Sequence, residues 1–222
     1  MITGATGGLG AEIAKALSSN NQRLLLTGRD VSKLLALQSS LGSQVEVFPV
    51  DLIVPQQVID LKKYAFDTLG TPSRLINCAG NGLFGKLSEL NDEDIASTLL
   101  INQLPVILPC KAFVEPMKVQ GAGTIVNIMS TAAQKGKAGE SIYCAAKWGV
   151  RGFTEALREE LKGSSVKVIA VYPAGMNTGF WDKADVGYPT DSFMSPQEAA
   201  ELIVSSLNQA ERGFISELTL SR

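Results

Sequence analysis

A chain of 222 residues, 45% hydrophobic and 19% charged, is long enough for one domain with a substantial core and short for two. Its formal charge of −2 and pI near 5.3 offer no basic surface to nucleic acid or anionic membrane, so the expected partner is a small molecule. It contains no histidine, which excludes Ser-His-Asp and Cys-His nucleophile systems and removes the usual zinc ligand; no metal site is expected, and any acid or base must be another residue type.

No stretch approaches the roughly 18 uninterrupted apolar residues of a membrane span, and the N-terminus lacks a charged-then-apolar leader, so the chain reads as a soluble, cytoplasmic protein with no membrane partner. Three cysteines, Cys78, Cys110 and Cys144, are odd in number and lack metal-like spacing, which predicts free thiols in a reducing compartment.

Apolar runs of strand length alternate with amphipathic stretches, the pattern of a single α/β domain over 1–222 whose doubly wound parallel sheet carries helices on both faces. Seven strands are predicted, at Met1–Thr3, Arg23–Thr27, Val45–Val50, Arg74–Asn77, Gly123–Met129, Val166–Tyr172 and Phe214–Thr219. Helices are predicted between them at Gly8–Asn20, Val31–Leu41, Val54–Leu69, Asp92–Val119, Gly139–Lys162 and Pro196–Gln209, the last with Ser195 as N-cap. Residues 174–194 form the longest irregular stretch, a candidate lid. Only Met1 and Ile2 precede Thr3-Gly4, whereas a strand usually needs about five or six residues. Either the start lies upstream or the central strand is short.

Thr3-Gly4-Ala5-Thr6-Gly7-Gly8-Leu9-Gly10 stands between the strand stub and an amphipathic helix. In that context glycines let the backbone approach a pyrophosphate at a helix N-terminus. Some twenty residues on, where an acidic residue commonly binds a ribose 2′-hydroxyl, the chain has Thr27-Gly28-Arg29-Asp30. The planar, permanently charged fork of Arg29 suits a 2′-phosphate, which favours NADP(H) over NAD(H). The rival reading gives the ribose to Asp30 and leaves Arg29 in solvent, with NAD(H) as cofactor.

The TGxxxGxG spacing, Asn77-Cys78-Ala79-Gly80 and Tyr143-x-x-x-Lys147 together resemble the short-chain dehydrogenase/reductase superfamily over nearly the whole chain. The resemblance implies a Rossmann fold and an NAD(P)-dependent oxidoreductase acting on a carbonyl or alcohol. It implies cofactor contacts at Gly4, Thr6, Gly7, Gly8, Leu9 and Gly10, at Asp51 beside the adenine with Leu52 after it, and along Asn77, Ala79 and Gly80, where Cys78 replaces the more usual Asn or Ser. Beyond the sixth strand, Pro173, Ala174, Gly175 and Met176 lead to Thr178, which the resemblance places on the nicotinamide carboxamide; Ala174 stands where the family has glycine. Asn102 and Ser130 complete a catalytic set with Tyr143 and Lys147. The resemblance also implies helix pairing between subunits, in a homodimer or homotetramer.

Tyr143 and Lys147, four apart on a helix, share a face. A tyrosine of pKa about 10 is a weak base, and an adjacent ammonium is expected to lower that value so that Tyr143 exchanges a proton with a substrate oxygen. Ser130 closes the fifth strand, at the edge where ligands of such sheets bind, and is expected to hold that oxygen. Asn102 lies in a helix containing Pro105, where a kink is expected. Phe84, Phe180, Trp181, Phe193 and Met194 either wall an apolar substrate pocket or pack the lid. Lys135 and Lys137 read as solvated, and Cys144 as an inert buried thiol. Leu99, Leu100, Val106, Val150, Phe153 and Leu157 form apolar faces that exceed what the sheet covers. Two other readings stand beside the reductase: a nucleotide-sugar epimerase or dehydratase, for which the C-terminus is short, and a cofactor-sensing protein without turnover.

Overall fold

Runs such as Leu24-Leu25-Leu26 and Val168-Ile169-Ala170-Val171 are apolar on both faces, and a strand of that kind has to be covered twice. The computed structural model, which describes residues 1–19, 22–181, 188–209 and 213–222, shows that arrangement. Seven parallel strands, β1 (Ile2–Thr3), β2 (Leu24–Gly28), β3 (Val45–Pro49), β4 (Arg74–Asn77), β5 (Gly123–Ile128), β6 (Val166–Pro173) and β7 (Glu217–Leu220), lie in the order β3-β2-β1-β4-β5-β6-β7. The helices are α1 (Gly8–Ser18), α2 (Val31–Leu41), α3 (Pro55–Thr68), α4 (Asp92–Val119), α5 (Ser141–Glu160) and α6 (Pro196–Gln209).

Alternate strand residues divide the core in two. Leu24, Leu26, Ile76, Val126 and Ile169 pack with Ile13, Leu17, Leu34 and Ile203 of α1, α2 and α6. Leu25, Leu75, Ile125, Val168 and Tyr172 pack with Leu61, Phe113, Met117 and Val150 of α3, α4 and α5. The strand order reverses between β1 and β4, and the crevice beyond the carboxyl ends at such a switch point is where ligands of open α/β sheets bind.

Several boundaries depart from the sequence reading. The seventh strand begins at Glu217, because its ladder with β6 opens at the pair Ala170–Glu217; Phe214 lies before it, exposed. The fifth helix starts two residues later than expected, since Gly139 has φ 75° and Glu140 is non-helical. The first helix ends at Ser18, and Asn20, its expected end, lies outside the described residues. Helix α4 runs unbroken through Pro105, Pro109 and Pro116. Among the described residues it is the one helix long and apolar enough to cross a membrane, with a mean hydropathy of 1.3, yet Val106, Phe113 and Met117 sit in the domain core. Val106, Val150 and Leu157 are likewise buried within the chain, so of the outward apolar face expected of α4 and α5 Leu100 is exposed and Leu99 and Phe153 are partly so, with Trp148 exposed on α5 as well.

Candidate active site

The glycine turn follows β1 directly. Gly4 has φ 63°, and a side chain there would lie 2.6 Å from the Ala79 amide, so this glycine lets β1 and the segment after β4 pass closely. Gly7 is the N-cap of α1 and supplies no side-chain hydrogen bond; Gly7 and Gly8 are exposed, while Leu9 and Gly10 are buried beneath them. The first N–H groups of a helix have no partner within it, so the open turn presents backbone donors and the positive end of the helix dipole to an anion. Thr6 packs on Gly28 at the end of β2, and Thr178 lies on Gly8, where a β-carbon would come within 2.7 Å of its methyl group. These features fit a nicotinamide dinucleotide, whose pyrophosphate the turn of 4–10 would hold.

At the end of β2 the two charged neighbours separate. Asp30 caps α2, accepting from the Lys33 amide at 3.0 Å and lying 3.8 Å from the Lys33 ammonium. Arg29 is exposed at the same edge. After β3, Asp51 accepts from the Ile53 amide at 3.2 Å, and Leu52 turns into the core. The Asn77 side chain is fully buried and donates to Asn127 at 2.9 Å and to the Cys110 sulfur at 3.4 Å. Ala79 is partly buried and Gly80 exposed just beyond β4. Burial pushes the Cys78 thiol up to about 12, against the pull of Lys147, which disfavours the thiolate.

Asn102, Lys147 and Gly80 converge. A β-carbon on Gly80 would lie 2.6 Å from Asn102 Oδ1 and 3.1 Å from Lys147 Nζ. Asn102 Nδ2 donates to the Thr98 and Asn81 carbonyls at 2.9 and 3.0 Å, and its buried Oδ1 has no partner among the described residues, which suits an acceptor for an ordered water. Lys147 Nζ sits 5.7 Å from the centre of the Tyr143 ring. Burial lowers its pKa to about 8. Ser130, extended at the end of β5, accepts from the Ala132 amide at 3.1 Å and hydrogen-bonds Tyr143.

Tyr143 departs from the sequence expectation. Burial is the largest effect on it and raises its pKa, with Glu140 adding to the rise and the Ser130 hydrogen bond opposing it; the lowering expected from Lys147 does not appear. Above Tyr143 stand Phe84 and Phe180, their rings 5.9 and 5.6 Å away, and Trp181 touches both. The sixth strand runs through Pro173, and Ala174 donates to the Leu220 carbonyl at 2.8 Å, which fixes the backbone left open where glycine was expected. Gly175 packs on Phe193, and the Met176 carbonyl accepts from the Trp181 indole at 2.8 Å. Sequence reasoning missed Glu140, Tyr188 and Asn81; none lies in a motif, and only the fold brings them here.

The profile of the short chain dehydrogenase family matches residues 1–187. An uncharacterised oxidoreductase of Staphylococcus aureus is 29% identical over 222 residues, covering 99% of this chain and 95% of its own. A short-chain dehydrogenase/reductase from Vibrio parahaemolyticus superposes with a TM-score of 0.88 at 41% identity, covering 100% of this chain and 98% of its own. An alcohol dehydrogenase from the archaeon Thermococcus sibiricus, solved with 5-hydroxy-NADP, gives 0.90 at 26% identity over 99% of this chain and 94% of that one. The sheet order, the glycine turn at its switch point and these likenesses agree: the chain belongs to the short-chain dehydrogenase family and is an oxidoreductase of CH–OH and carbonyl groups.

Proposed function

We propose that the protein is an NADP(H)-dependent carbonyl reductase or alcohol dehydrogenase in which Tyr143 is the general acid and base. The observation that carries this reading is the convergence of Ser130, Tyr143, Lys147 and Asn102 at the crevice beside the open glycine turn. When bound, the nicotinamide supplies or accepts the hydride. The chain's own residues position the substrate and manage the proton. Ser130 holds the substrate oxygen next to the Tyr143 hydroxyl. In reduction Tyr143 donates its proton to that oxygen, and in oxidation it takes the proton back. A phenol kept protonated by burial is ready for the first task. For the second, the phenolate needs positive charge nearby, which Lys147 supplies and which the oxidised nicotinamide augments. Asn102 Oδ1 faces Lys147 and would hold a water between that amine and solvent.

Arg29 supports the choice of NADP(H). The Asp30 carboxylate is committed to capping α2, so the rival assignment to a ribose hydroxyl would cost that cap, worth about 1 kcal/mol. Asn77 contributes through its place behind the turn at 78–80, and Thr178, seated on Gly8, closes the other side of the cofactor cleft. The four-residue set argues against a sensor without turnover. A small-molecule carbonyl or alcohol is the partner, and assembly as a homodimer or homotetramer, through faces such as that of Leu100 and Trp148, belongs to the same proposal.

Three measurements test it. Calorimetric titration is expected to give tighter binding of NADPH than NADH, with the preference lost in Arg29→Ala; equal affinities in the parent protein would overturn the Arg29 assignment. Tyr143→Phe is expected to bind cofactor as before and to lose about 10²- to 10⁴-fold in kcat on a carbonyl panel followed by NADPH absorbance. Retained turnover would dismiss Tyr143 as the acid. Finally, Lys147 is held charged at pH 7 against a burial penalty worth about 3 kcal/mol, from a pKa lowered from 10.5 to about 8. Because the charged form is the one penalised, raising the pH from 8 towards 10 relieves the cost. Lys147→Met is expected to be inactive yet to melt several degrees higher than the parent at pH 7, the gap narrowing above pH 8. A lower melting temperature would show that the amine stabilises the fold.

A further inference from the structure

Glu140 lies one turn before Tyr143, at the N-terminus of α5, and is only 1% exposed. Few groups compensate its burial. Oε1 accepts from the Tyr188 hydroxyl at 2.6 Å, and Oε2 is 4.0 Å from the ammonium of Lys137, which is itself exposed. Nor does the side chain cap its own helix. Burying a carboxylate on one close neutral donor and one distant cation is costly, so stability alone gives no reason for this placement.

The contacts of Tyr188 supply one. Its ring meets Trp181 at 5.2 Å and Phe193 at 6.3 Å; Trp181 meets Phe84 and Phe180 at 5.2 and 5.1 Å; and those two rings meet Tyr143. A continuous set of contacts thus leaves α5 at Glu140, crosses the aromatic cluster and returns to the same helix at Tyr143. The rings in between form the wall over Tyr143 on the side where a substrate would sit. We propose that Glu140 is a positioning residue of the active site, which anchors Tyr188 and through it sets the aromatic wall over Tyr143.

This rests on the reductase reading, but its first test does not depend on turnover. Trp148, exposed on α5, and Trp181 are the two tryptophans of the chain, so Trp148→Phe leaves Trp181 as sole reporter of the wall. In that background Tyr188→Phe and Glu140→Ala are each expected to shift Trp181 emission to the red and raise its quenching by acrylamide. Glu140→Gln, whose amide oxygen still accepts from Tyr188, is expected to behave as the parent. On a carbonyl substrate, Tyr188→Phe is expected to raise KM about tenfold while leaving kcat within about twofold, with its pH profile and the cofactor Kd unchanged, because the proton-handling residues are untouched. The double variant Glu140→Ala, Tyr188→Phe is expected to be no worse than either single one, since both remove the same link. Parental quenching and KM in Tyr188→Phe, or effects that multiply in the double variant, would overturn the proposal. A parent protein inactive on every carbonyl but with the expected Trp181 response would instead overturn the reductase reading.

Discussion

The pairing at the centre of the sheet is the constraint on which the site depends, and its backbone is thin. β1 meets β2 through Ile2–Leu26 and β4 through Ile2–Ile76 and Thr3–Asn77. Buried side chains extend this junction. Thr3 donates to Asn77 at 3.4 Å, Asn77 to Asn127 at 2.9 Å, Asn127 to Thr154 at 2.9 Å, and Thr154 to the Val150 carbonyl at 2.7 Å. The series runs from β1 across β4 and β5 to α5, tying the strand that launches the glycine turn to the helix that carries Tyr143 and Lys147. In a low-dielectric interior each such link is strong, and an unpaired member would be costly, so the two halves of the crevice are held in fixed relation.

Against that rigid frame the site itself is built at an energetic disadvantage. Lys147 and Tyr143 are both buried, and burial moves their proton affinities toward the neutral forms. A buried neutral phenol beside a buried amine is a poor contribution to stability and a good starting point for proton exchange, because charge introduced nearby then has a large effect on either group. Such groups persist where the surrounding structure over-determines them. Here Ser130, Asn102 and the polar series behind α5 do so.

How much of this the sequence discloses follows from the range of the interactions involved. Continuous apolar runs and their alternation with amphipathic stretches identified the seven strands and six helices, since those patterns report burial directly. The glycine turn was legible because it is contiguous, and the Tyr143–Lys147 pair because four residues is one helical turn. Boundaries slipped where long-range pairing decides them, as at β7, whose start is fixed by Ala170 of β6 rather than by Phe214. The direction of the Asn77 side chain is not legible in the sequence, because it is set by Asn127, fifty residues away. The proton affinity of Tyr143 escapes the sequence for a similar reason: spacing reveals the neighbouring ammonium, whereas burial, the largest effect on the phenol, arises only in the fold.

Helix capping gives an independent view of the same surface. Every helix of a parallel α/β sheet starts near the carboxyl ends of the strands, so all six N-termini face the ligand side and each must satisfy its free N–H groups. Asp30, Asn91 and Ser195 do so with side chains at α2, α4 and α6. α3 begins with Pro55, which has one N–H fewer to satisfy. Among the described residues α1, α3 and α5 have no side-chain cap: Gly7 precedes α1, Val54 precedes α3, and at α5 Glu140 turns its carboxylate to Tyr188 instead. A cap worth about 1 kcal/mol is forgone at each. At α3 the loss coincides with Pro55 in the first turn, at α1 with the open glycine turn beside the switch point, and at α5 with the contact that ties Glu140 to the aromatic cluster over Tyr143.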